Sequence, residues 1–332
     1  MKIKKIVYII SSLIIILSIL LWTIFSSNNY YMYGGSTSVN EFMQAVTNIW
    51  NKDKSHKKII YNSMGSQYGV NSVENNTFNI GFISKEVENN TLSKGNEFVD
   101  KKYQDKTLIK DGEAIKVKDD SSFSFVEMLN NEKNRFLSLQ FAIDKIAIIG
   151  NLPNWLNEKL PSINLKEHPN ILKKIYEGSL TWEQLAKEEG IKDIPNSSTK
   201  IISIARESGS GTRTAFDDLA DVKNSKDSSV ATSNGMMVQN IKNTPNSIGY
   251  VSYGFIQNEI QKKEFTTFEI NGVDIKNKDY SFSRPFNMIL KAKKSSWNQA
   301  KNLVSFLFDH QEIYDKEGLV KDFVLNKIIS KG

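Results

Sequence analysis

The stretch from Lys200 to Thr214 reads Lys-Ile-Ile-Ser-Ile-Ala-Arg-Glu-Ser-Gly-Ser-Gly-Thr-Arg-Thr. Its first six residues have the apolar character of a buried strand, and a helical apolar pattern begins near its end. The eight residues between these parts, Arg206 to Arg213, are rich in glycine and hydroxyl side chains. The stretch therefore predicts a strand that passes through a tight loop into a helix, which is the repeating unit of α/β folds.

The loop of this unit has the chemistry of an oxyanion cradle. A helix start carries unpaired backbone N–H groups and the positive end of the helix dipole. Ser210 and Thr212 can add hydroxyl donors, and Arg206 can add a planar fork of N–H donors. The alternative is a tight loop whose glycines serve only backbone geometry.

The same order of elements occurs twice more near the start of the chain. A strand over 30–33 leads through the loop 34–38 into an amphipathic helix to Trp50, and a strand over 58–62 leads through 65–69 into a helix ending near Glu74. A third strand, 77–83, ends in Ser84. Three such helix starts predict convergence on one small anion, and the alternative is that Ser and Thr only cap their helices, at about 1 kcal/mol each.

Two apolar runs predict crossings between two lobes. The run 136–149 is almost continuous, broken mainly by Asp144 and Lys145, and it predicts one buried strand or two in series. The run 247–251 predicts the return crossing. Helices are expected after Pro169, after the capping box that starts at Thr181, and near the C-terminus, and Asn271-Gly272 suits a hairpin turn.

The segment 86–122 is polar and has no sustained apolar period. It is expected to be a mobile surface excursion with only short regular pieces. Alternating strands and helices elsewhere predict open parallel sheets with helices on both sides, whose ligands bind at the carboxyl ends of the strands.

Composition excludes several classes of function. Half of the net charge of +6 comes from Lys2, Lys4 and Lys5, and the remaining +3 is too diffuse for nucleic-acid binding, which needs basic residues gathered on one face. The chain has no cysteine, so it has no disulfide, no zinc thiolate site and no lipid-modified cysteine. No nucleophile elbow or nucleotide-binding loop occurs, and the three histidines are scattered. We therefore expect no enzyme, no metal and no cofactor.

The N-terminal run Ile6 to Phe25 is uncharged and long enough to cross a membrane as a helix. Residues 1–29 are therefore expected to be a cytoplasmic tip and a single transmembrane anchor, because the lysines precede the run. The rest of the chain would then be extracellular at the cell membrane. A cleaved signal peptide is the alternative.

Seven segments together resemble the substrate-binding protein of phosphate ABC transporters. They are Gly35 to Val39, Gly65-Ser66, Ile80-Gly81 with Ser84, Phe141 to Asp144, Ile175 to Gly178, Arg206 to Arg213, and Ile248 to Val251. The resemblance implies a two-lobed periplasmic-binding-protein-like fold of type II, in which each lobe is an open sheet flanked by helices. Lobe 1 would comprise 30–140 and 252–332, with an insertion at 86–122, and lobe 2 would comprise 141–251.

The resemblance also implies a function and a site. A monomeric, membrane-tethered receptor would capture inorganic phosphate and deliver it to a permease with its ATPase. The implied phosphate contacts are Thr37, Ser38, Ser66, Ser84, Arg206, Ser210, Gly211 and Thr212.

The chain departs from the family pattern at the group that accepts a proton from phosphate. Some members carry aspartates where this chain has Ser84 and Ser208. Ser84 can itself accept a hydrogen bond, and Glu207 is either a substitute acceptor or a solvated carboxylate. The alternatives for function are a receptor for sulfate or molybdate, or an anchored phosphate-ester hydrolase.

Overall fold

The computed structural model describes residues 30–129, 134–223, 228–257 and 259–329. The predicted membrane anchor lies outside these residues. Within the described ranges, no helix combines the length and the apolar character that crossing a membrane would require.

The described chain alternates strands and helices. Its strands are β1 (Tyr30–Gly35), β2 (Lys58–Ser63), β3 (Ile80–Ile83), β4 (Glu97–Phe98), β5 (Lys106–Asp111), β6 (Ala114–Val117), β7 (Arg135–Asn151), β8 (Ser162–Ile163), β9 (Ile202–Arg206), β10 (Ser229–Ala231), β11 (Ser247–Ser252), β12 (Thr266–Ile270), β13 (Ser283–Lys291) and β14 (Val320–Leu325). Its helices are α1 (Asn40–Trp50), α2 (Ser66–Glu74), α3 (Phe125–Met128), α4 (Ile171–Tyr176), α5 (Trp182–Glu188), α6 (Gly211–Ala220), α7 (Asn234–Asn243), α8 (Tyr253–Ile256), α9 (Lys294–Asp309) and α10 (Gln311–Lys316).

The longest strand, β7, is the backbone of the fold. Its 17 residues extend roughly 55 Å, more than twice the usual strand length. Its first part, 136–145, pairs antiparallel with β13, and its last part, 146–151, pairs antiparallel with β11. The predicted buried strand is therefore one continuous strand that joins two halves of the molecule.

The path of paired strands runs β10-β9-β11-β7-β13-β3-β1-β2. The outer strands on each side are parallel to their neighbours, as the strand-loop-helix units predict. The central strands β7, β11 and β13 pair antiparallel, so the sheet is mixed and the prediction of parallel sheets holds only for the outer strands. The chain crosses the middle of the molecule in both directions, which parallel pairing does not allow.

Two large hydrophobic cores lie on either side of this centre. The first core is formed by buried residues between Tyr33 and Ala142 and between Phe286 and Leu325. The second core is formed by buried residues between Ile146 and Phe282. The buried side chains from Tyr253 to Phe282 thus pack in the second core, whereas the predicted division assigned everything after residue 251 to lobe 1. The strand β12 brings them there because it pairs with the last part of β7.

The polar segment 86–122 is part of the first half of the molecule. It has only short strands, as predicted, but β4 pairs with β7 and β5 pairs with β14. Leu108, Ile115 and Val117 are buried in the first core. The alternation is short, because it covers only Ile115 and Val117 in the four-residue strand β6, and the sequence analysis did not detect it.

The local predictions at turns are met in part. The side chain of Thr181 accepts a hydrogen bond from Gln184 N, and the Gln184 side chain accepts one from Thr181 N, so the capping box is present. Asn271 and Gly272 have φ angles of 55° and 72°, as a type I′ turn requires. This turn closes only a single β-bridge, between Ile270 and Val273, and the described residues around it do not extend this bridge into a longer hairpin.

We predict that Glu183→Gln destabilises the protein at neutral pH. Burial alone would raise the pKa of Glu183, but hydrogen bonds from Thr199 and Ser197 lower it to about 2 from 4.5. The carboxylate therefore stabilises the fold by up to about 3 kcal/mol above pH 4.5, and this contribution is lost as pH falls toward 2. Urea unfolding at pH 7 should detect the loss, and the difference from the parent should shrink below pH 4.5.

The matched control is Glu188→Gln in the same helix. Glu188 forms a partly exposed ion pair with Lys174, so its substitution should change the free energy of unfolding by about 0.5 kcal/mol or less. Equal losses in both variants, or a pH-independent loss in Glu183→Gln, would contradict the prediction.

Candidate functional site

The three hydroxyl-rich loops meet at the centre of the molecule, between the two cores. They follow the carboxyl ends of β1, β2 and β9, and Ser84 follows the end of β3. Parallel strands bring these ends to one edge of each half-sheet. The eight predicted contact residues are all in this cleft, and all except Thr37 are buried.

The start of α6 is capped and points into the cleft. Ser210 is its N-cap, and the Ser210 hydroxyl accepts a hydrogen bond from Arg213 N at 3.3 Å. The N–H groups of Gly211 and Thr212 have no partner inside the helix, because they belong to its first turn. Ser210 thus has a capping role in this structure, and its predicted contact with an anion stays a prediction.

Gly211 lies so close to the opposite side of the cleft that a side chain would not fit. A Cβ atom at this position would lie 2.3 Å from Ser66 Oγ and 2.6 Å from Ser84 Oγ. The start of α6 therefore lies directly against the hydroxyls of Ser66 and Ser84, on the side of the cleft nearer the first core. Glycine is required here by this close approach.

Several hydrogen bonds also cross the cleft. Ser38 Oγ lies 2.9 Å from Thr212 Oγ1, and Arg206 Nη2 donates to Thr37 Oγ1 at 3.1 Å. The backbone N–H of Gln67 donates to Gly209 O at 3.2 Å. The structure is therefore a closed arrangement in which both sides of the cleft touch through polar groups.

A cluster of three serines lines the side of the cleft that belongs to the first core. Ser36 Oγ donates to Ser84 Oγ at 2.8 Å, and Ser66 Oγ lies 3.4 Å from Ser84 Oγ. Ser84 N donates to Ser66 Oγ at 3.2 Å. Ser36 was not among the predicted contacts, although it lies in the loop that the sequence singled out.

Arg206 is completely buried, and its guanidinium has partners on both sides of the cleft. Besides Thr37, it donates to Asn234 Oδ1 at 2.8 Å and to both carboxylate oxygens of Glu207, at 2.8 and 2.9 Å. Its backbone N–H donates to Tyr250 Oη at 3.1 Å. A buried guanidinium needs such compensation, because removing a charge from water is costly.

Glu207 is paired rather than solvated on its own, because Arg206 donates to both of its carboxylate oxygens. Its carboxylate compensates the charge of Arg206 as an ion pair, while Ser208 is exposed. Arg213 forms an ion pair with Asp217 at 3.4 Å, four positions further along the same helix, and its Nη1 also donates to Arg206 O at 3.0 Å. Burial raises the pKa of Asp217 to about 6, although the Arg213 guanidinium opposes this shift.

A second buried ion pair lies behind the serine cluster. Arg284 Nε and Nη2 donate to Asp144 Oδ2 at 3.1 and 2.9 Å, and Ser252 Oγ donates to the same oxygen at 2.8 Å. Burial raises the pKa of Asp144, and the Arg284 guanidinium opposes this shift. These three residues come from β7, β13 and β11, the strands that cross the centre of the molecule.

Sequence reasoning missed Arg284, Asp144 and Asn234 as residues of the cleft. Asp144 did leave a signal, because it interrupts an apolar run that forms a buried strand, whereas Arg284 only precedes the apolar residues of its strand. Asn234 left no such signal, since it begins a helix and asparagine is common there.

The side chains that can donate hydrogen bonds in the cleft are hydroxyls, one amide and two guanidiniums. Together with the unpaired N–H groups of α6 they form the donor set that suits a tetrahedral oxyanion. Among the described residues, no three His, Asp or Glu side chains are placed together to hold a metal ion.

Comparison with known proteins places the chain in a family. Residues 26–311 match the family model described as the PBP superfamily domain. A curated relative, "Phosphate-binding protein PstS 2" of Streptococcus agalactiae, is 30% identical over 146 residues, which are 40% of this chain and 50% of the relative. A second, "Phosphate-binding protein PstS" of Borreliella burgdorferi, is 23% identical over 239 residues, 69% of this chain and 65% of the relative.

The fold is also similar to a solved structure, a putative phosphate ABC transporter substrate-binding protein with bound phosphate from Clostridium perfringens. The two chains are 22% identical, with a TM-score of 0.62 and coverage of 88% of this chain and 99% of the other. The chain spans about half the length of the Streptococcus agalactiae relative that it matches.

We predict that a disulfide forms in the double variant Ser38→Cys/Thr212→Cys. The two hydroxyl oxygens are 2.9 Å apart, so two sulfur atoms at these positions are within bonding reach. The natural chain has no cysteine, so a thiol count is unambiguous. Mild oxidation should remove both thiols, whereas the single variant Ser38→Cys should keep one, and two persistent thiols in the double variant would contradict the closed arrangement.

Proposed function

The chain belongs to the PBP superfamily, and we propose that it captures inorganic phosphate between two lobes and delivers it to an ABC transporter. The observation that carries this proposal is the convergence of three strand-loop-helix units and the buried Arg206 on one cleft. The names of the relatives, which are phosphate-binding proteins, support phosphate as the ligand.

The two cores are proposed to be the centres of two lobes of type II arrangement. Core packing supports a lobe 1 that includes residues 33–142 and 286–325 and a lobe 2 that includes residues 146–282. The lobes would open about β7, β11 and β13 and close on the anion. Closure would place the first turn of α6 and Arg206 opposite the serine loops of lobe 1.

Capture in this mechanism needs no bond to be made or broken. The donors are fixed in advance by capping, ion pairing and close packing, so they replace the water around the anion with little reorganisation. Arg206 supplies the positive charge of the site. An arriving anion would compete with the Glu207 carboxylate for the N–H groups of Arg206. Thr37, Ser38, Ser66 and Thr212 are proposed to donate through their hydroxyls.

The proton on phosphate is proposed to be accepted by Ser84. Its hydroxyl oxygen accepts a hydrogen bond from Ser36, and its second lone pair is open when Ser84 donates its own proton to Ser66 Oγ. Sulfate has no proton to donate at neutral pH, so an acceptor at this place would favour phosphate. A serine discriminates less than a carboxylate because its hydroxyl can also donate, and sulfate and molybdate therefore remain alternative ligands.

The cellular setting is proposed from the apolar run Ile6 to Phe25. This run would tether the receptor to the cell membrane and leave the two lobes outside the cell, beside a permease and its ATPase. The receptor is expected to act as a monomer. An anchored phosphate-ester hydrolase is the second candidate function, and turnover of a phosphate ester would favour it.

We predict that Arg206→Ala nearly abolishes binding of phosphate to the full-length protein. The substitution removes the cation of the site and leaves the Glu207 carboxylate uncompensated. Titration calorimetry measures the change, with thermal unfolding of the ligand-free variant as the control for folding. Unchanged affinity in a folded variant would contradict the assignment of Arg206.

The identity of the anion is tested by thermal unfolding of the parent protein with phosphate, sulfate or molybdate. Phosphate at about 100 times its dissociation constant should stabilise the protein by roughly 2.7 kcal/mol. A larger shift with sulfate or molybdate would replace phosphate as the ligand, and no shift with any of the three would contradict the receptor function.

We also predict that Gly211→Ala prevents phosphate binding, whereas Gly235→Ala leaves it unchanged. A methyl group at 211 would meet Ser66 Oγ and Ser84 Oγ and hold the lobes apart. A methyl group at 235 would make only ordinary contact, 3.5 Å from Phe255. Both glycines are near helix starts at the cleft, so calorimetry on the two variants separates closure from helix propensity, and equal affinities would contradict the closure mechanism.

A further inference from the structure

The hydroxyl oxygen of Ser38 accepts hydrogen bonds from two side chains. In their observed orientations, both side chains present only N–H donors to this oxygen. Arg284 Nη2 donates to Ser38 Oγ at 3.0 Å, and Asn234 Nδ2 donates to the same oxygen at 3.1 Å. A hydroxyl oxygen has two lone pairs and one proton. Both lone pairs are therefore occupied, and Ser38 can only donate its own proton.

The orientation of the Asn234 amide is set by Arg206. A guanidinium cannot accept a hydrogen bond, so the atom of Asn234 that faces Arg206 Nη1 at 2.8 Å must be the oxygen. The amide nitrogen then has to face Ser38. This fixes the first of the two donors through a contact that is itself completely buried.

The orientation of Arg284 is set by Asp144. Two N–H groups of Arg284 point at Asp144 Oδ2, and a third, on Nη1, donates to Ser84 O at 3.1 Å. The side chains of Arg284 and Asp144 are 1% and 0% exposed, so water offers neither of them an alternative partner. The guanidinium is held in one position, with Ser38 at one edge and the Ser84 backbone at the other.

We propose that Arg284 and Asp144 are a positioning pair that makes Ser38 an obligatory donor in the anion site. In the closed structure the Ser38 proton is directed to Thr212 Oγ1, and an oxyanion oxygen in the cleft would compete for it. An obligatory donor binds an unprotonated oxygen of the anion, which leaves Ser84 to receive the protonated one. This inference rests on the proposed function and adds two residues to it.

The test is a double-mutant cycle that uses the neutral pair Arg284→Gln/Asp144→Asn. Changing both partners together avoids leaving one charge buried without compensation, which would endanger the fold. Calorimetry with inorganic phosphate on the full-length protein should show an affinity loss of about tenfold or more. In a Ser38→Ala background the same paired change should cost less than about threefold, because the hydroxyl through which it acts is absent.

A merely structural role would reduce affinity equally with and without Ser38, and that result would overturn the proposal. Affinity within about twofold of the parent in the folded paired variant would overturn it as well. Arg284→Lys is the second variant: it keeps the charge opposite Asp144 but lacks the planar fork, so it should fold and also lose affinity. Arg135→Gln, a change at an arginine that pairs with Glu97, should leave affinity unchanged.

The outcome for the parent protein separates this inference from the proposed function. A parent that binds phosphate while the variants match it contradicts only the role of Arg284 and Asp144. A parent that prefers sulfate or molybdate is carried through the same cycle with that anion. A parent that binds none of the three contradicts the proposed function and this inference together.

Discussion

The buried guanidinium of Arg206 is the constraint on which the cleft depends. A charge removed from water must be compensated, and here the compensation comes from both sides of the cleft: Glu207, Asn234 and Thr37. The contact with Thr37 ties the second core to the first. The charge that suits an anion is thus also the charge that holds the two sides together.

The same residue links two hydrogen-bond networks. Arg206 donates to the Asn234 amide oxygen and so determines which way this amide faces. The amide nitrogen then donates to Ser38. From the other direction, the pair of Asp144 and Arg284 reaches the same hydroxyl from the strands that cross the molecule. A hydroxyl group can in general both donate and accept a hydrogen bond. These two networks restrict the Ser38 hydroxyl to donating.

The strand-loop-helix units were predictable because apolar periodicity and helix-start chemistry are local properties of the sequence. Strand β7 was predictable for the same reason, since 14 consecutive positions with few interruptions indicate full burial. The ion pair of Arg284 and Asp144 was not predictable. The two residues are 140 positions apart and meet only through the antiparallel pairing of β13 with β7. The packing of Tyr253 to Phe282 in the second core also depends on pairing that leaves no local pattern.

The central claim is that donors from both lobes close on one oxyanion. Its most direct test is an experimental structure of the full-length protein crystallised with phosphate. The account predicts phosphate in the cleft between the first turn of α6 and the serine cluster, within hydrogen-bond distance of Arg206, Ser38 and Ser84. Phosphate bound elsewhere, or a cleft in which these three residues contact no anion, would contradict it.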